Sequence, residues 1–212
     1  MLHNFIAFDL DGTLVTTAPA YRYDVVTQTL KALGRSANTD EMDHFWFGTN
    51  RDSIIQKIFD LSPADFWSNF VRFDLPHVRL AHTKPFPDIG ALDVLKGRGL
   101  RLGVVTNAPK AIAESELGLI GADIFDAIVI AGKTPGVRPK PHPDGILHCI
   151  AQGNGVPQGA MFIGNALEDL QAARAAEVVD VHIDRGEHDS IGDLLVPSHS
   201  ISSLEEIAHL LK

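Results

Sequence analysis

The stretch Phe5–Thr13, FIAFDLDGT, is the most informative part of the chain for its fold, because four apolar residues are followed at once by a segment with two aspartates, a glycine and a threonine. The run Phe5–Phe8 is too short for a helix and ends at polar residues, which predicts a buried β-strand. Alternate residues of a strand point to the same side, so we expect Asp9 and Asp11 to face one cleft. Gly12 would let the chain turn sharply after them. The pattern predicts a strand that ends in a pair of carboxylates.

Two simpler interpretations of this stretch are a calcium loop and a plain turn after a strand. An EF-hand calcium loop needs a glutamate at its twelfth position. Counting from Asp9, that position is Ala20, which excludes the loop. The plain turn stays open until the rest of the chain is considered.

Four more short apolar runs predict buried strands, and helical patterns lie between most of them. The strand runs are Leu102–Val105, Ala127–Ile130, Met161–Ile163 and Val178–Ile183. The helical patterns are Ile89–Lys96, Lys110–Leu117, Asp144–Ala151 and Glu168–Ala176. Alternation of strands and helices favours a parallel sheet with right-handed crossovers. We therefore predict a doubly wound, Rossmann-like α/β fold.

Between Phe8 and Leu102 the alternation breaks, and no strand is predicted. Ahead of Ile89–Lys96, this segment has three further helical patterns, Tyr23–Leu33, Arg51–Phe59 and Ala64–Phe73. Both tryptophans and six of the eleven phenylalanines fall between positions 45 and 73, which predicts a small aromatic core; a cofactor-stacking site is the alternative. We predict a catalytic core of residues 1–14 and 84–212, with residues 15–83 inserted as a helical cap.

Composition excludes several classes of function. The chain of 212 residues has 18 Lys and Arg against 27 Asp and Glu, a formal net charge of −9, which argues against a nucleic-acid binder or a membrane-surface protein. The single cysteine, Cys149, permits no internal disulfide and fits a reducing compartment. The N-terminus has no basic segment and no long apolar run, so we expect a cytoplasmic protein without a secretory signal.

Polar side chains gather where the predicted strands end. In open parallel sheets, ligands bind outside the carboxyl ends of the strands. The residues placed there are Asp9, Asp11, Thr106, Asn107, Lys140, Asn165, Glu168 and Asp169. Oxygen ligands suit Mg²⁺, and a lysine supplies a point charge for a phosphate. Two close carboxylates also titrate apart, so that one can act as nucleophile while the other transfers protons.

At these residues the chain resembles the haloacid dehalogenase-like hydrolase superfamily, in the branch of phosphoglycolate phosphatases and β-phosphoglucomutases. Asp9–Thr13 matches the first motif of that superfamily, and Thr106 with Asn107 looks like the second. Lys140 looks like the third motif and Phe162–Asp169 resembles the fourth. The resemblance spans nearly the whole chain, and it implies that residues 15–83 form a helical cap of the family's first type.

The resemblance implies a role for each residue. Asp9 would be the nucleophile that forms an aspartyl-phosphate, and Asp11 the acid and then the base. Thr106 and the backbone N–H of Asn107 would bind the phosphoryl oxygens, and Lys140 would stabilise both nucleophile and phosphate. The presence of both aspartates favours phosphoryl transfer over dehalogenation.

The resemblance also implies a Mg²⁺ site, in which one position departs from the family pattern. The ligands would be the Asp9 carboxylate, the Asp11 carbonyl and an acid of the fourth motif. The position directly after the motif's glycine, usually Asp, is Asn165 in this chain. An amide oxygen can bind Mg²⁺ but brings no charge, so Glu168 and Asp169 are expected to compensate. Loss of activity is the alternative.

Arg51 is the candidate substrate-binding residue of the cap. The segment Gly48–Arg51 resembles a loop that reaches the substrate in β-phosphoglucomutase-like caps. Its guanidinium could bind a second phosphate or a carboxylate through two parallel hydrogen bonds. A solvated arginine at the start of a helix is the alternative.

The sequence therefore predicts a Mg²⁺-dependent phosphatase that acts on a small phosphorylated metabolite, as a monomer or a small homo-oligomer. Phosphoglycolate, a sugar phosphate and a nucleotide monophosphate all remain open as substrates. A phosphosugar mutase and a catalytically impaired binding or regulatory protein are the alternatives, and dehalogenation is a more distant one.

Overall fold

The computed structural model describes residues 4–187 and 195–211 and divides the chain into two compact units, Met1–Thr16 with Lys84–Lys212, and Thr17–Thr83. The strands are β1 Phe5–Phe8, β2 Val15–Thr17, β3 Thr83–Pro85, β4 Arg101–Thr106, β5 Ala127–Ile130, β6 Ala160–Gly164, β7 Val179–Ile183 and β8 His199–Ile201. The helices are α1 Pro19–Ala32, α2 Thr39–Phe47, α3 Arg51–Lys57, α4 Pro63–Phe73, α5 Pro76–Leu80, α6 Ala91–Gly97, α7 Lys110–Ile120, α8 Asp144–Gln152, α9 Leu167–Ala175 and α10 Ile207–Leu210.

The larger unit is built on a six-stranded sheet in the order β5-β4-β1-β6-β7-β8, and its neighbouring strands are parallel. Residues of β1 alternate between two separate apolar clusters, with Ile6 and Phe8 in one and Phe5 and Ala7 in the other. Both faces of the sheet are therefore covered, as in a parallel sheet with helices on each side. The predicted doubly wound, Rossmann-like fold is confirmed.

Three short strands of the structure were not predicted from the sequence. The expectation that no strand lies between Phe8 and Leu102 is wrong, because β2 and β3 pair as a separate two-stranded sheet. The sixth strand of the main sheet, β8, was missed as well. Each of the three has only three residues, and β8 reads His-Ser-Ile, so none carries the apolar run that identified the other five.

The smaller unit contains α1 to α5 around an aromatic core. Phe45 and Phe66 are fully buried, and their ring centroids lie 4.9 Å apart in an edge-to-face arrangement. Phe70 stacks on Phe66 at 5.7 Å, and Trp67 packs against both rings. The cluster confirms the predicted aromatic packing of these side chains. Aromatic pairs of this kind stabilise a fold beyond the area they bury.

Helix α2 was not predicted, although its start is marked in the sequence. Asn38 accepts a hydrogen bond from the backbone N–H of Glu41, and the Glu41 carboxylate accepts one from the Asn38 N–H. This reciprocal capping satisfies two backbone donors that the helix itself leaves unpaired.

Among the described residues, the structure contains no helix long and apolar enough to cross a membrane.

Candidate active site

The turn after β1 is closed by one carbonyl and one glycine. The Leu10 carbonyl accepts hydrogen bonds from the backbone N–H groups of Thr13, Leu14 and Val15. Gly12 adopts φ +74°, a conformation that costs a residue with a Cβ atom. A Cβ at this position would also lie 2.3 Å from Asn165 Nδ2. The turn thus needs glycine both for its backbone and for the approach of Asn165.

Asp9 is a buried carboxylate at the end of β1. Its N–H donates to the Ile163 carbonyl on β6 over 2.9 Å, and its Oδ1 accepts from Lys140 Nζ at 2.5 Å. Burial raises the pKa of Asp9 to about 7; Lys140 opposes the rise, while the charges of Asp169 and Asp11 add to it. Lys140 therefore keeps this buried carboxyl group ionisable near neutral pH.

Lys140 lies between two carboxylates that are far apart in the sequence. Its Nζ donates to Asp9 Oδ1, to Asp169 Oδ1 at 2.7 Å and to the Val105 carbonyl at 3.1 Å. Three donors thus have three acceptors, which is what a buried ammonium requires. Burial alone would lower the pKa of Lys140, but the charges of Asp169 and Asp9 raise it above its usual range.

The Asn107 side chain holds the Lys140 loop at the end of β4. Asn107 Oδ1 accepts from the Lys140 backbone N–H at 2.9 Å, and Nδ2 donates to the Lys140 carbonyl at 3.1 Å. Asn107 Nδ2 also donates to Glu168 Oε1, at an N···O distance of 3.1 Å. These three bonds fix the amide in one orientation. They connect the ends of β4 and β6 with the loop that carries the lysine.

Thr106 ends β4 with its hydroxyl group buried at the same edge. Its Oγ1 accepts a hydrogen bond from the Ala108 N–H at 3.0 Å. Because the oxygen accepts this bond, the hydroxyl proton is available for a phosphoryl oxygen. Asp11, the next acid after Asp9, is half-buried in the turn, and its backbone forms a bridge with Val15.

Two oxygen atoms suited to a divalent cation flank the Thr13 hydroxyl. Thr13 Oγ1 lies 3.4 Å from Asp9 Oδ2 and 3.3 Å from Asn165 Oδ1. Both atoms are hard donors, and one of them is anionic, so the pair fits a Mg²⁺ ion that retains several water ligands. The Asp11 carbonyl, which the resemblance implies as a further ligand, belongs to the same turn.

The two acids of the fourth motif have other partners. Asp169 Oδ1 pairs with Lys140, and Oδ2 accepts from the Ala166 N–H at 2.9 Å. Glu168 Oε1 accepts from Asn107. Within residues 4–187 and 195–211, no three His, Cys, Asp or Glu side chains are grouped so as to hold a metal ion. The ligand roles predicted for Asp169 and Glu168 stay predictions, and the contacts of Asp169 are those of a residue that positions Lys140.

Arg51 lies in the smaller unit, at the start of α3. Its guanidinium donates to the Trp46 carbonyl at 2.8 Å, and its Cζ atom is 5.8 Å from the centre of the Phe45 ring. The helix begins after Asn50, which adopts a left-handed conformation. These contacts hold Arg51 against its own unit, and its role in substrate binding stays a prediction.

Arg185, which was not among the predicted site residues, contacts the turn after β1. Arg185 Nη2 donates to the Thr13 carbonyl at 2.6 Å, and Nη1 donates to Asp88 Oδ2 at 2.7 Å. Arg185 lies just beyond the fifth predicted strand, Val178–Ile183, so the rule that ligands bind outside the carboxyl ends of parallel strands points to it as well.

Comparison with known proteins identifies relatives along most of the chain. The family model described as haloacid dehalogenase-like hydrolase matches residues 6–183. A phosphoglycolate phosphatase of Colwellia psychrerythraea is 30% identical over 193 residues, covering 85% of this chain and 84% of that protein. A phosphoglycolate phosphatase of Escherichia coli K12 is 30% identical over 207 residues, covering 85% and 81%.

The fold recurs in solved structures. A haloacid dehalogenase-like family hydrolase from Streptococcus pneumoniae superposes with a TM-score of 0.82 at 22% identity. The match covers 99% of each chain. At this level of identity the likeness concerns the fold, and the sequence relatives carry the family assignment.

Proposed function

We propose that this chain, which belongs to the haloacid dehalogenase-like hydrolase family, acts through an aspartyl-phosphate on Asp9. The chain is a phosphoric monoester hydrolase of that family, and its proposed substrate is a small phosphorylated metabolite. The observation that carries the proposal is the pairing of the buried Asp9 carboxylate with Lys140 at 2.5 Å. This pair lies at the end of β1, whose two neighbours are β4 and β6. Ligands bind at such a switch point in open α/β sheets.

In the first step, a carboxylate oxygen of Asp9 attacks phosphorus, and the bond between phosphorus and the ester oxygen breaks. Asp11 donates a proton to the leaving oxygen, which departs as an alcohol. In the second step, Asp11 takes a proton from water, which attacks the phosphorus of the aspartyl-phosphate. Inorganic phosphate leaves, the Asp9 carboxylate is restored, and Asp11 is protonated again.

Three groups stabilise the charge of the phosphoryl group. The Thr106 hydroxyl donates a hydrogen bond to a phosphoryl oxygen, while its own oxygen accepts one from the Ala108 N–H. The Asn107 N–H adds a backbone donor, while its side chain holds the Lys140 loop in place. Lys140 brings the positive charge, fixed in advance by Asp169 and the Val105 carbonyl. Donors placed in advance cost no reorganisation during the reaction.

The proposal includes Mg²⁺ as the cofactor. Asp9 Oδ2, Asn165 Oδ1 and the Asp11 carbonyl would hold it, with water completing the coordination, and Glu168 and Asp169 would add negative charge nearby. When bound, Mg²⁺ neutralises phosphoryl charge and so lets an anionic carboxylate approach an anionic ester. The oxygen atoms around the Thr13 hydroxyl support this choice.

Phosphoglycolate or a sugar phosphate is the proposed substrate class. The names of the relatives from Colwellia and Escherichia coli support phosphoglycolate. By the sequence resemblance, residues 15–83 would act as a cap, and Arg51 would bind a second anionic group of the substrate. Replacement of Arg51 by alanine would then raise KM more than it lowers kcat.

The proposed setting is the cytoplasm, with a small metabolite as partner and neither nucleic acid nor membrane involved. The net charge of −9 supports the exclusion of a phosphate-backbone ligand. The single thiol, Cys149, is buried, and burial raises its pKa to about 12. The protein would work as a monomer or a small homo-oligomer.

The test is release of inorganic phosphate at pH 7 from a panel of phosphoglycolate, sugar phosphates and nucleoside monophosphates, with Mg²⁺ and with a chelator. Turnover that needs both the metal and Asp9 would support the proposal. An isomerised sugar phosphate in place of inorganic phosphate would indicate the mutase. No turnover by the wild type, restored in Asn165→Asp, would indicate a binding protein.

A further inference from the structure

Arg185, in the loop after β7, has every nitrogen of its guanidinium group engaged inside the larger unit. Nε and Nη2 both donate to the Thr13 carbonyl, at 3.2 and 2.6 Å. Nη1 donates to Asp88 Oδ2 at 2.7 Å, and Cζ lies 4.0 Å from the centre of the Phe86 ring. The side chain is 5% exposed. A buried arginine with this many contacts holds its partners in a fixed geometry.

Asp88 connects this arginine to the C-terminal part of the chain. Its Oδ2 also accepts from the Leu204 N–H at 2.7 Å and from the Ser203 hydroxyl at 3.1 Å. One carboxylate oxygen thus receives three donors from two separate segments. Asp88, which is held by Ser203 and Leu204, therefore fixes the guanidinium group that donates to the Thr13 carbonyl.

Thr13 in turn contacts Asp9, the proposed nucleophile, and Asn165, a proposed metal ligand. Its hydroxyl lies 3.4 Å from Asp9 Oδ2 and 3.3 Å from Asn165 Oδ1. Its N–H donates to the Leu10 carbonyl, which closes the turn. Movement of the Thr13 backbone would therefore shift the group that lies next to the nucleophile.

We infer that Arg185 is a positioning residue, which fixes the turn of residues 9–15 through the Thr13 carbonyl and so keeps Asp9 aimed at phosphorus. Arg185 touches no reacting atom and acts through Thr13. The inference rests on the proposed function for its effect on turnover, and on the contacts alone for its effect on the turn. A displacement of about 1 Å at a reacting group costs ~10²-fold in rate.

Arg174 offers a matched control elsewhere in the same unit. It pairs with Asp180 at 3.3 Å and also donates to a backbone carbonyl, that of Val196. The Asp180 carboxylate accepts hydrogen bonds from the N–H and the hydroxyl of Ser198. Asp88 likewise accepts from one N–H, that of Leu204, and one hydroxyl, that of Ser203. Both arginines pair with a carboxylate that also accepts from a serine hydroxyl, although the Arg174 side chain is 42% exposed and that of Arg185 is 5% exposed. Of the two, only Arg185 contacts the turn after β1.

The experiment compares Arg185→Met, Arg185→Lys and Arg174→Met by steady-state phosphate release and by amide hydrogen exchange. For Arg185→Met we expect kcat to fall ~10–100-fold with KM within ~3-fold, and faster exchange in residues 10–16. Arg185→Lys should recover part of both effects, because an ammonium can still donate to one of the two partners. Arg174→Met should leave kcat and the exchange of residues 10–16 as in the wild type.

Exchange in residues 10–16 equal to that of the wild type in Arg185→Met would overturn the inference. So would a loss of kcat that the unfolded fraction fully explains, as measured by thermal unfolding at the assay temperature. Should the wild type release no phosphate, the proposed function would fail, while the exchange measurement would still decide whether Arg185 holds the turn.

Discussion

Asn165 is the residue that most directly sets the strength of the proposed cation site. Its amide oxygen and Asp9 Oδ2 flank the Thr13 hydroxyl, so Asp9 brings the one formal charge of this pair. The Asp169 carboxylate accepts hydrogen bonds from Lys140 Nζ and from the Ala166 N–H. Hard cations bind more tightly as the number of charged oxygen ligands rises.

Replacement of Asn165 by aspartate should therefore tighten Mg²⁺ binding, by about tenfold or more, because a full charge is added beside the ion. Isothermal titration of the protein with MgCl₂, without substrate, measures this directly. Asn165→Ala is the control and should weaken binding. Equal affinities in all three proteins would mean that Asn165 lies outside the metal site.

Asp11 is the residue assigned to proton transfer, so its replacement should affect steps that need an acid or a base. We expect Asp11→Asn to lower kcat at least ~10²-fold, because acid–base help of this size is typical of a positioned carboxyl group. The loss in kcat/KM, which reports on transfer of the phosphoryl group to Asp9, should be smaller for esters with a good leaving group, such as p-nitrophenyl phosphate, whose departing oxygen needs no proton. An equal loss in kcat/KM for both kinds of ester would contradict the acid role of Asp11.

At the scale of single residues, sequence reasoning located the groups of the site but could not pair them. Asp9 and Lys140 are 131 positions apart, and the rule about carboxyl ends of strands predicted that both lie at one edge. That Asp169 pairs with Lys140, and that Asn107 grips the lysine loop, depends on side-chain directions within loops. Strand periodicity does not determine those directions.

Among the elements, β8 shows how an unpromising segment is held in the sheet. The buried Asp180 on β7 accepts from the Ser198 N–H at 3.0 Å and from its hydroxyl at 2.5 Å, just before β8 begins. Burial raises the pKa of Asp180, but the Ser198 bonds and Arg174 outweigh it, so the pKa is lowered. A strand that is anchored by a carboxylate of its neighbour, without an apolar run of its own, gives no periodic signal in the sequence.

Asp180→Asn should lower the free energy of unfolding at pH 7 by about 1.5–3 kcal/mol, the range for hydrogen bonds to a charged group. Because the folded-state pKa is depressed, this stability is present above the unfolded value of about 3.9 and is lost as pH falls through the folded pKa. Urea unfolding at pH 7 and at pH 3 measures the difference, which should shrink at pH 3. A constant difference at both pH values would refute the charge-based account; Ser198→Ala should show a smaller pH effect.

Two of the five predicted strands have the bounds that the structure shows. The prediction of Ala127–Ile130 matches β5, and that of Phe5–Phe8 matches β1. Strand β4 extends one residue beyond the predicted run at each end, to Arg101 and Thr106, because strand pairing continues after the apolar side chains stop. Backbone pairing with a neighbour is invisible to periodicity, which explains these small differences.

At the scale of the whole molecule, the two units have separate apolar cores. The aromatic cluster around Phe45 and Phe66 belongs to the smaller unit, and the clusters on the two faces of the sheet belong to the larger one. Both tryptophans, Trp46 and Trp67, lie in the smaller unit. Tryptophan fluorescence therefore reports on that unit, whereas far-UV circular dichroism reports on both.

Phe66→Ala should destabilise the smaller unit by about 3–5 kcal/mol, the usual cost of a large cavity. We expect the urea midpoint of the fluorescence signal to fall more than that of the circular dichroism signal. Phe5→Ala, in the core of the larger unit, is the matched control and should shift mainly the circular dichroism midpoint. If both midpoints moved together in both variants, the two units would unfold as one.

The proposed function depends above all on a covalent bond between Asp9 and phosphorus. The most direct test is rapid quenching of the protein in acid during turnover of phosphoglycolate or a reactive aryl phosphate with Mg²⁺, followed by mass spectrometry of the peptide that contains Asp9. We predict one added phosphoryl group on Asp9 in the wild type. With an aryl phosphate, a larger fraction of Asp11→Asn should carry this group, because activation of water by Asp11 is lost. Wild-type turnover in Asp9→Asn, or a phosphoryl group on another residue, would contradict the account.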